Sequence, residues 1–533
     1  MPIVGSAVSP YLSRNRSKHK AAVRSTGGIV VSQNRAASEI GARVLKAGGH
    51  AVDAAIATAF ALGVVEPWMS GIGGVGVALV RDAKSGKVSG FDFGGRSPKG
   101  LKVEDFKLKP GADGDLFGWP VVEGNINTVG AKAVVAPTEP AGLALLHKTF
   151  GRQRWGDLVM PAVALAREGM AVDWHTTLVI ATAFADLGRD KGAAERFLPG
   201  GAPPVPPAAT DPTPAKRLPS PKLADTLQAI ADKGAAALYE GPIAKGIVED
   251  IQAAGGYLTA DDLAGVRPRI VEPRQVTHLD RTIHVLPELN GGPTMAMAWA
   301  ELNRLRPQPT GVPDAVTFHA YAKALRHAWE WRFKNMGDAG EHTAPTNTTH
   351  LCVVDRDGNV VTLTQTLLSL FGSRIILPQS GILMNNGINW FDPRPGGPNA
   401  IGPDKRALAN YAPAIMTGGG TTIGIGGCGG RKILPAVFQL LSLCAEFGYD
   451  LETAFHSPRI DVSGIGRIAV DRELEAPIIE ALARDFDVVL AEPIVYTNPF
   501  TIASAVARSD VGDNEGATEP GHPWSEAVAE EDV

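Results

Sequence analysis

The stretch from Pro345 to Ser373, PTNTTHLCVVDRDGNVVTLTQTLLSLFGS, decides how the rest of the chain is read. Two apolar runs of period-two character, HLCVVD and VVTLTQTL, flank the polar turn Asp355-Arg356-Asp357-Gly358-Asn359, which is the pattern of a β-hairpin. With the turn centred on Asp357, Thr348 and Thr366 lie equally far from it, so their hydroxyls face each other across the ladder to within a register step. A threonine at a strand start needs no special explanation, because its β-branched side chain suits a pleated surface. Asn-Thr-Thr-His opening an apolar hairpin deep inside a long chain asks for a more specific one.

Composition narrows the possibilities around it. The chain has 533 residues, 44% of them apolar and 20% charged, enough for one large or two fused domains with a full core. A net charge of −5 without a basic run excludes nucleic acid and an anionic membrane surface as expected partners, leaving a small molecule. Cys352, Cys428 and Cys444 are odd in number and lack CxxC spacing, which argues against a disulfide framework and a zinc site. The first residues carry positive charge but no apolar run of signal-peptide length, and no 18-residue apolar run follows. The expectation is a cytoplasmic protein.

Working outward, residues 32–65 have the 3.6-residue rhythm of two helices, with Gly48-Gly49 as the stop and His50 to Asp53 as the restart. EPWMSGIGGVGVALVRD then joins a glycine-rich loop to a strand, and GKVSGFDFGG supplies its hairpin partner. The loop from Ser70 to Gly76 lacks the lysine of a phosphate-binding loop, so close backbone packing explains its glycines better than a nucleotide does. A mostly helical middle follows, interrupted at 198–221 by a proline-rich segment expected to be a surface loop. TTIGIGG and RIAVD read as strands and ILPAVFQLLSLCAEFG as a helix, so the whole predicts sheets covered by helices.

Four segments carry a resemblance over nearly the full length: GGHAVDAAIATAFALGVVEPWMSGIGGVG, LYEGPIAKGIVEDIQAAGGYLTADDL, TTHLCVVDRDGNVVTLTQTL and GGCGGRKI. They resemble the gamma-glutamyltransferase (glutathione hydrolase) family of N-terminal-nucleophile hydrolases. The resemblance implies an α+β fold, an αββα sandwich with a helical region in the large chain. It also implies a proenzyme that cuts itself between Asn347 and Thr348 into a large chain, 1–347, and a small chain, 348–533. The two would stay associated as a heterodimer, and a dimer of such heterodimers is a further assembly the resemblance allows. No cofactor or metal is implied.

The chemistry fits those residue types. A threonine hydroxyl is a weak nucleophile that needs a base, and a freed α-amino group with a pKa near 8 sits on the same residue. Thr348 would attack the Asn347 carbonyl before cleavage and a substrate amide after it, forming a threonyl ester. By the resemblance, Thr366 orients that hydroxyl and the amides of Gly429 and Gly430 receive the oxyanion. Read alone, those glycines are a turn. His350 is a candidate base by proximity, but no acid is spaced to orient it, so it reads as structural. Cys352 reads as an apolar strand residue, and Cys428, beside the glycines, as the cysteine nearest a ligand.

The substrate clamp departs from the family. Where the family has the arginine of D-F-R-E-x-A-P, this chain has DFGGRSP, with Gly94 at that place and Arg96 two residues on. Leu368 replaces an asparagine, Gly387, Asn389 and Trp390 stand in NNGINWF, and Ala409 and Asn410 replace a serine pair. A zwitterionic glutamyl head buried without partners would cost several kcal/mol. Arg96, Asn389, Trp390 and Asn410 are therefore the candidate substrate-binding residues of an amidohydrolase for a different acyl group, oxamate-like or of the kind acylases remove from cephalosporins. A true glutathione hydrolase or acyltransferase is the alternative. A catalytically silent binding homologue is a second, disfavoured because it would not need Thr348, Thr366, Gly429 and Gly430 together.

Overall fold

The computed structural model describes residues 4–5, 18–113, 119–208, 213, 215–305, 311–336, 348–491 and 500–533. The hairpin forms as its sequence requires. Thr349–Val354 pairs antiparallel with Val360–Thr366, from Thr349 opposite Gln365 to Val354 opposite Val360. This pair is the centre of a seven-stranded sheet whose order is Arg269–Val271, Val88–Phe93, Val75–Arg81, Val360–Thr366, Thr349–Val354, Ile29–Ser32 and Glu526–Ala529. A second seven-stranded sheet runs Arg274–His278, Arg281–Val285, Ala414–Gly418, Thr421–Cys428, Ile502–Ser509, Asn514–Thr518 and Val23–Ser25.

Alternation along the strands assigns each face. Val31, Val77, Leu79, Cys352, Val354 and Val360 meet Ile415 and Val506 of the second sheet in one apolar layer. The opposite face of the first sheet, with Val30, Ala78, Phe91, Leu351, Val353 and Leu363, packs against the helices Arg35–Lys46, Ala51–Val65, Glu139–Phe150 and Trp155–Glu168. The second sheet buries Ile283, Met416, Ile425 and Ala505 under Gly292–Leu305, Ala315–Asn335, Ile433–Phe447 and Ala476–Asp485. The result is the expected αββα sandwich, with further helices such as Pro221–Lys233 and Gly241–Ala253 in the middle of the chain.

Ala51–Val65 is buried on nearly all sides, as its alanine-rich composition allows, and it begins at the predicted restart. Its cap is reciprocal: His50 Nδ1 accepts from Val52 N at 3.1 Å, and Asp53 Oδ2 accepts from His50 N at 2.9 Å. The glycine-rich loop packs closely, as expected. Asn385 Nδ2 donates to Gly73 O at 2.7 Å, and Gln365 Nε2 donates to Ser70 Oγ at 3.0 Å. Of the proline-rich segment, the described part closes with Arg217–Leu218 pairing to Met170–Ala171, and Pro221 opens the next helix, where its missing N–H is harmless. Among the described residues no helix is long and apolar enough to cross a membrane.

Candidate active site

Thr348 directly precedes the strand Thr349–Val354, and the register carries it to the place opposite Thr366. Both threonines are buried, and both belong to the side of the hairpin that faces the second sheet. On the far side of Thr366 the next strand presents Val75. Thr366 Oγ1 accepts a 2.8 Å hydrogen bond from Leu368 N. That bond goes with a tight chain reversal, for Leu368 has φ 84°, a left-handed conformation that costs a leucine on the order of 1–2 kcal/mol. Strain of this kind concentrates where a fold fixes a functional group.

The second sheet meets the hairpin through small residues. A Cβ on Gly424 would lie 2.5 Å from Val360 Cγ1, and one on Gly426 would overlap the His350 ring. Next on the same face comes Cys428, whose thiol receives a hydrogen bond from the Thr348 backbone and is pushed up to about 12 by burial. Gly429 (φ 135°) and Gly430 (φ 62°) then turn the chain into the helix Ile433–Phe447 through a short turn, Gly430–Lys432. The glycine amides thus stand at the positive end of a helix, a favourable place for developing negative charge. Thr501 stands across from this turn. Its fully buried hydroxyl has no hydrogen-bond partner among the described residues and lies 3.2 Å from where a Cβ on Gly429 would be.

His350 is fully committed elsewhere. Thr362 Oγ1 donates to Ile425 O at 3.0 Å, so it accepts from His350 Nε2 at 3.0 Å, and Nδ1 then accepts from Thr364 Oγ1 at 2.9 Å. Burial holds the imidazole neutral, its pKa lowered to about 3. Both nitrogens are thus occupied by threonines of its own hairpin, and Thr362 carries a link to the second sheet. Cys352, whose thiol donates to Ser504 O at 3.4 Å, carries another.

Two carboxyls lie on the helix-facing side, behind the threonines. Glu66, at the end of Ala51–Val65, accepts from Thr349 Oγ1 at 3.3 Å and is raised to about 8 by burial. Glu139, the first residue of its helix, sits beneath the Gly71–Gly74 turn with Oε2 3.2 Å from a Cβ position on Gly74. Burial raises it too to about 8. Neither was legible as part of the site, nor were Thr501 and Gln33, whose Oε1 lies 3.3 Å from Thr349 Oγ1, because their approach depends on how distant segments pack. The available signal was one of type: an acid closing the apolar run AAIATAFALGVVE, and another beside a proline in APTEPAGL.

The substrate-binding candidates fall into separate settings. Trp390 is buried in an apolar cluster with Leu368, Ile388, Ala409, Tyr411 and Val135, its ring 5.9 Å from that of Tyr411 and nearly perpendicular to it. The indole edge covers two glycines, since a Cβ on Gly387 would be 3.1 Å from Trp390 Cζ3 and one on Gly95 would be 3.6 Å away. Asn389 is fully buried; its Oδ1 accepts from Asn127 Nδ2 at 2.9 Å and its Nδ2 has no partner among the described residues. Asn410 Oδ1 accepts from the buried Arg332 Nη2 at 3.0 Å. Arg96 is half-exposed and bonds to Asp404 through O at 2.6 Å and Oδ1 at 2.9 Å. It lines a cavity of about 420 Å³ together with Gly94, Thr138 and Arg269. Asn347 lies outside the described residues. No cluster of three or more His, Cys, Asp or Glu suited to a metal occurs among the described residues.

This layering and the hairpin at its centre define an N-terminal-nucleophile hydrolase fold. The gamma-glutamyltranspeptidase family model matches residues 37–345 and 339–527, and the chain belongs to that family. It is 30% identical over 489 residues to glutathione hydrolase 3 of Arabidopsis thaliana, covering 82% of this chain and 73% of the relative. It is 31% identical over 495 residues to the acylase ACY 1 proenzyme of Pseudomonas sp. strain SE83, covering 86% of this chain and 85% of the relative. Among solved structures, the cephalosporin acylase of Bacillus halodurans superposes with a TM-score of 0.80 at 26% identity, covering 99% of each chain.

Proposed function

We propose that the chain is a proenzyme that cuts itself between Asn347 and Thr348 and then hydrolyses a small acyl amide through an ester on Thr348. The observation that supports this reading is the meeting of Thr348 and Thr366 across the ladder beside the Gly429-Gly430 turn. In the first step the Thr348 hydroxyl attacks the Asn347 carbonyl. The peptide C–N bond breaks, the hydroxyl proton passes to the departing Thr348 nitrogen, and water hydrolyses the resulting ester. In turnover the freed amine takes the hydroxyl proton as Thr348 attacks the substrate amide and returns it to the leaving amine; water then cleaves the threonyl ester, releasing the acid and restoring the Thr348 hydroxyl. Thr366 orients the nucleophile, and the two glycine amides receive the oxyanion. The pieces 1–347 and 348–533 remain together, because strands from both build each sheet.

The acyl group is one without a glutamyl head. Trp390, Leu368 and Ala409 fill with apolar surface the positions at which relatives would grip an α-amino and an α-carboxylate. Acylase relatives at comparable identity agree with this, whereas the glutathione hydrolase relatives favour the second reading, glutathione itself. A panel of glutathione, a γ-glutamyl anilide, oxamate, a glutaryl amide and simple acyl amides decides between them by released amine. The expected result is a kcat/KM for an amide lacking the α-amino group at least tenfold above that for glutathione. Glutathione as the best of the panel would overturn the acyl assignment and leave the nucleophile standing.

A further inference from the structure

The carboxyl behind Thr348 reaches it through one neighbour. Thr349 Oγ1 lies 3.3 Å from Gln33 Oε1 and 3.3 Å from Glu66 Oε2. All three residues are buried, so no water screens the carboxyl. Among the described residues no cation pairs with Glu66, and a carboxylate buried without one is costly, so the neutral acid is the form this site holds.

We propose that Glu66, in its neutral form, is a positioning residue: it locks Thr349, and through that residue's backbone it fixes Thr348 in the place where it reacts. The role rests on the reading of Thr348 as nucleophile. The surroundings of Glu66 favour the neutral acid from each side. Asp173, the cap of the helix Trp174–Thr182, adds like charge, and Cys428 is a thiol that burial keeps protonated. His175, packed edge-on against Trp68, is held neutral by burial at a pKa of about 4 and offers no compensating cation. Burial places the titration of Glu66 itself at about 8, so the lock would be complete at neutral pH and released above that.

Glu66→Gln keeps shape and donor and cannot ionise, whereas Glu66→Ala removes the lock. The rate of self-cleavage, and kcat/KM of the processed enzyme on the best panel amide, would be followed from pH 6 to 10. E66Q is expected within threefold of wild type below pH 7, with its advantage growing about tenfold per pH unit above 8 as only the wild type loses its proton. E66A is expected to cut at least tenfold more slowly than wild type below pH 7, with the gap closing above pH 9 as the wild type loses its own lock. An infrared difference spectrum between wild type and E66Q reads the acid directly, with a protonated-carboxyl band expected at pH 6.5 and lost by pH 9.5. A flat E66Q to wild-type ratio across the range, or E66A as fast as wild type below pH 7, would overturn the role. A chain that is cut but lacks the band sinks Glu66 alone. One that shows the band and is never cut sinks the Thr348 reading and this role with it.

Discussion

Two regions at the same end of the first sheet are built in opposite ways. Around Thr348 the structure gathers polar groups: Thr366, the Gly429-Gly430 turn, the Thr501 hydroxyl, and the carboxyls of Glu66 and Glu139 behind. Around Trp390 it gathers hydrocarbon, with Leu368, Ile388, Ala409 and Tyr411 closing over Gly387 and Gly95. The first region is set mainly by backbone: a hairpin register, a strand-to-helix turn and positive φ angles at glycine. The second is set by side chains alone. Substitution can therefore rewrite the second while leaving the first intact, which is how one fold keeps a reaction and changes its substrate.

That contrast predicts a graded set of effects. Thr348→Ala removes the hydroxyl proposed as nucleophile for both reactions, so the chain should remain whole and turnover should fall by more than about a thousandfold, with thermal stability unchanged. Gly429→Ala strikes the backbone half of the site. It forces alanine to φ 135° and brings its Cβ to 3.2 Å from Thr501 Oγ1, so kcat should fall about a hundredfold as the amide proposed to receive the oxyanion moves. Thr366→Val keeps the shape and deletes the hydroxyl. Turnover should drop about tenfold, as expected for a hydrogen bond of about 1.5 kcal/mol.

Trp390→Ala should do the reverse. Loss of so large a buried ring costs stability on the order of 3–5 kcal/mol, read as a lower Tm, while self-cleavage stays within threefold of wild type. Slowing of self-cleavage as severe as in Thr366→Val would mean that the two regions are one.

The centre of the fold was legible because its determinants are local. A turn centred on Asp357 fixes which residues oppose each other, and Thr349 does pair with Gln365. The breaks at Gly48-Gly49 and His50 were legible for the same reason, as cap chemistry reads over three or four residues. The approach of Gln33, Glu66 and Thr501 was not, since each comes from another part of the chain and is placed by packing between layers. Nor could sequence tell that Arg96 engages Asp404 or that Asn410 engages Arg332, because both pairings join residues far apart in the chain. The neutrality of His350 likewise emerges only from its complete burial in the folded protein.

The central claim is that Thr348 becomes an N-terminal residue by the protein's own chemistry. Intact-mass spectrometry of the purified protein, followed by N-terminal sequencing, tests it most directly. The account predicts two chains, residues 1–347 and 348–533, the second beginning Thr-Thr-His-Leu, and a Thr348→Ala protein that stays whole under the same conditions. An active enzyme that remains a single 533-residue chain would contradict it.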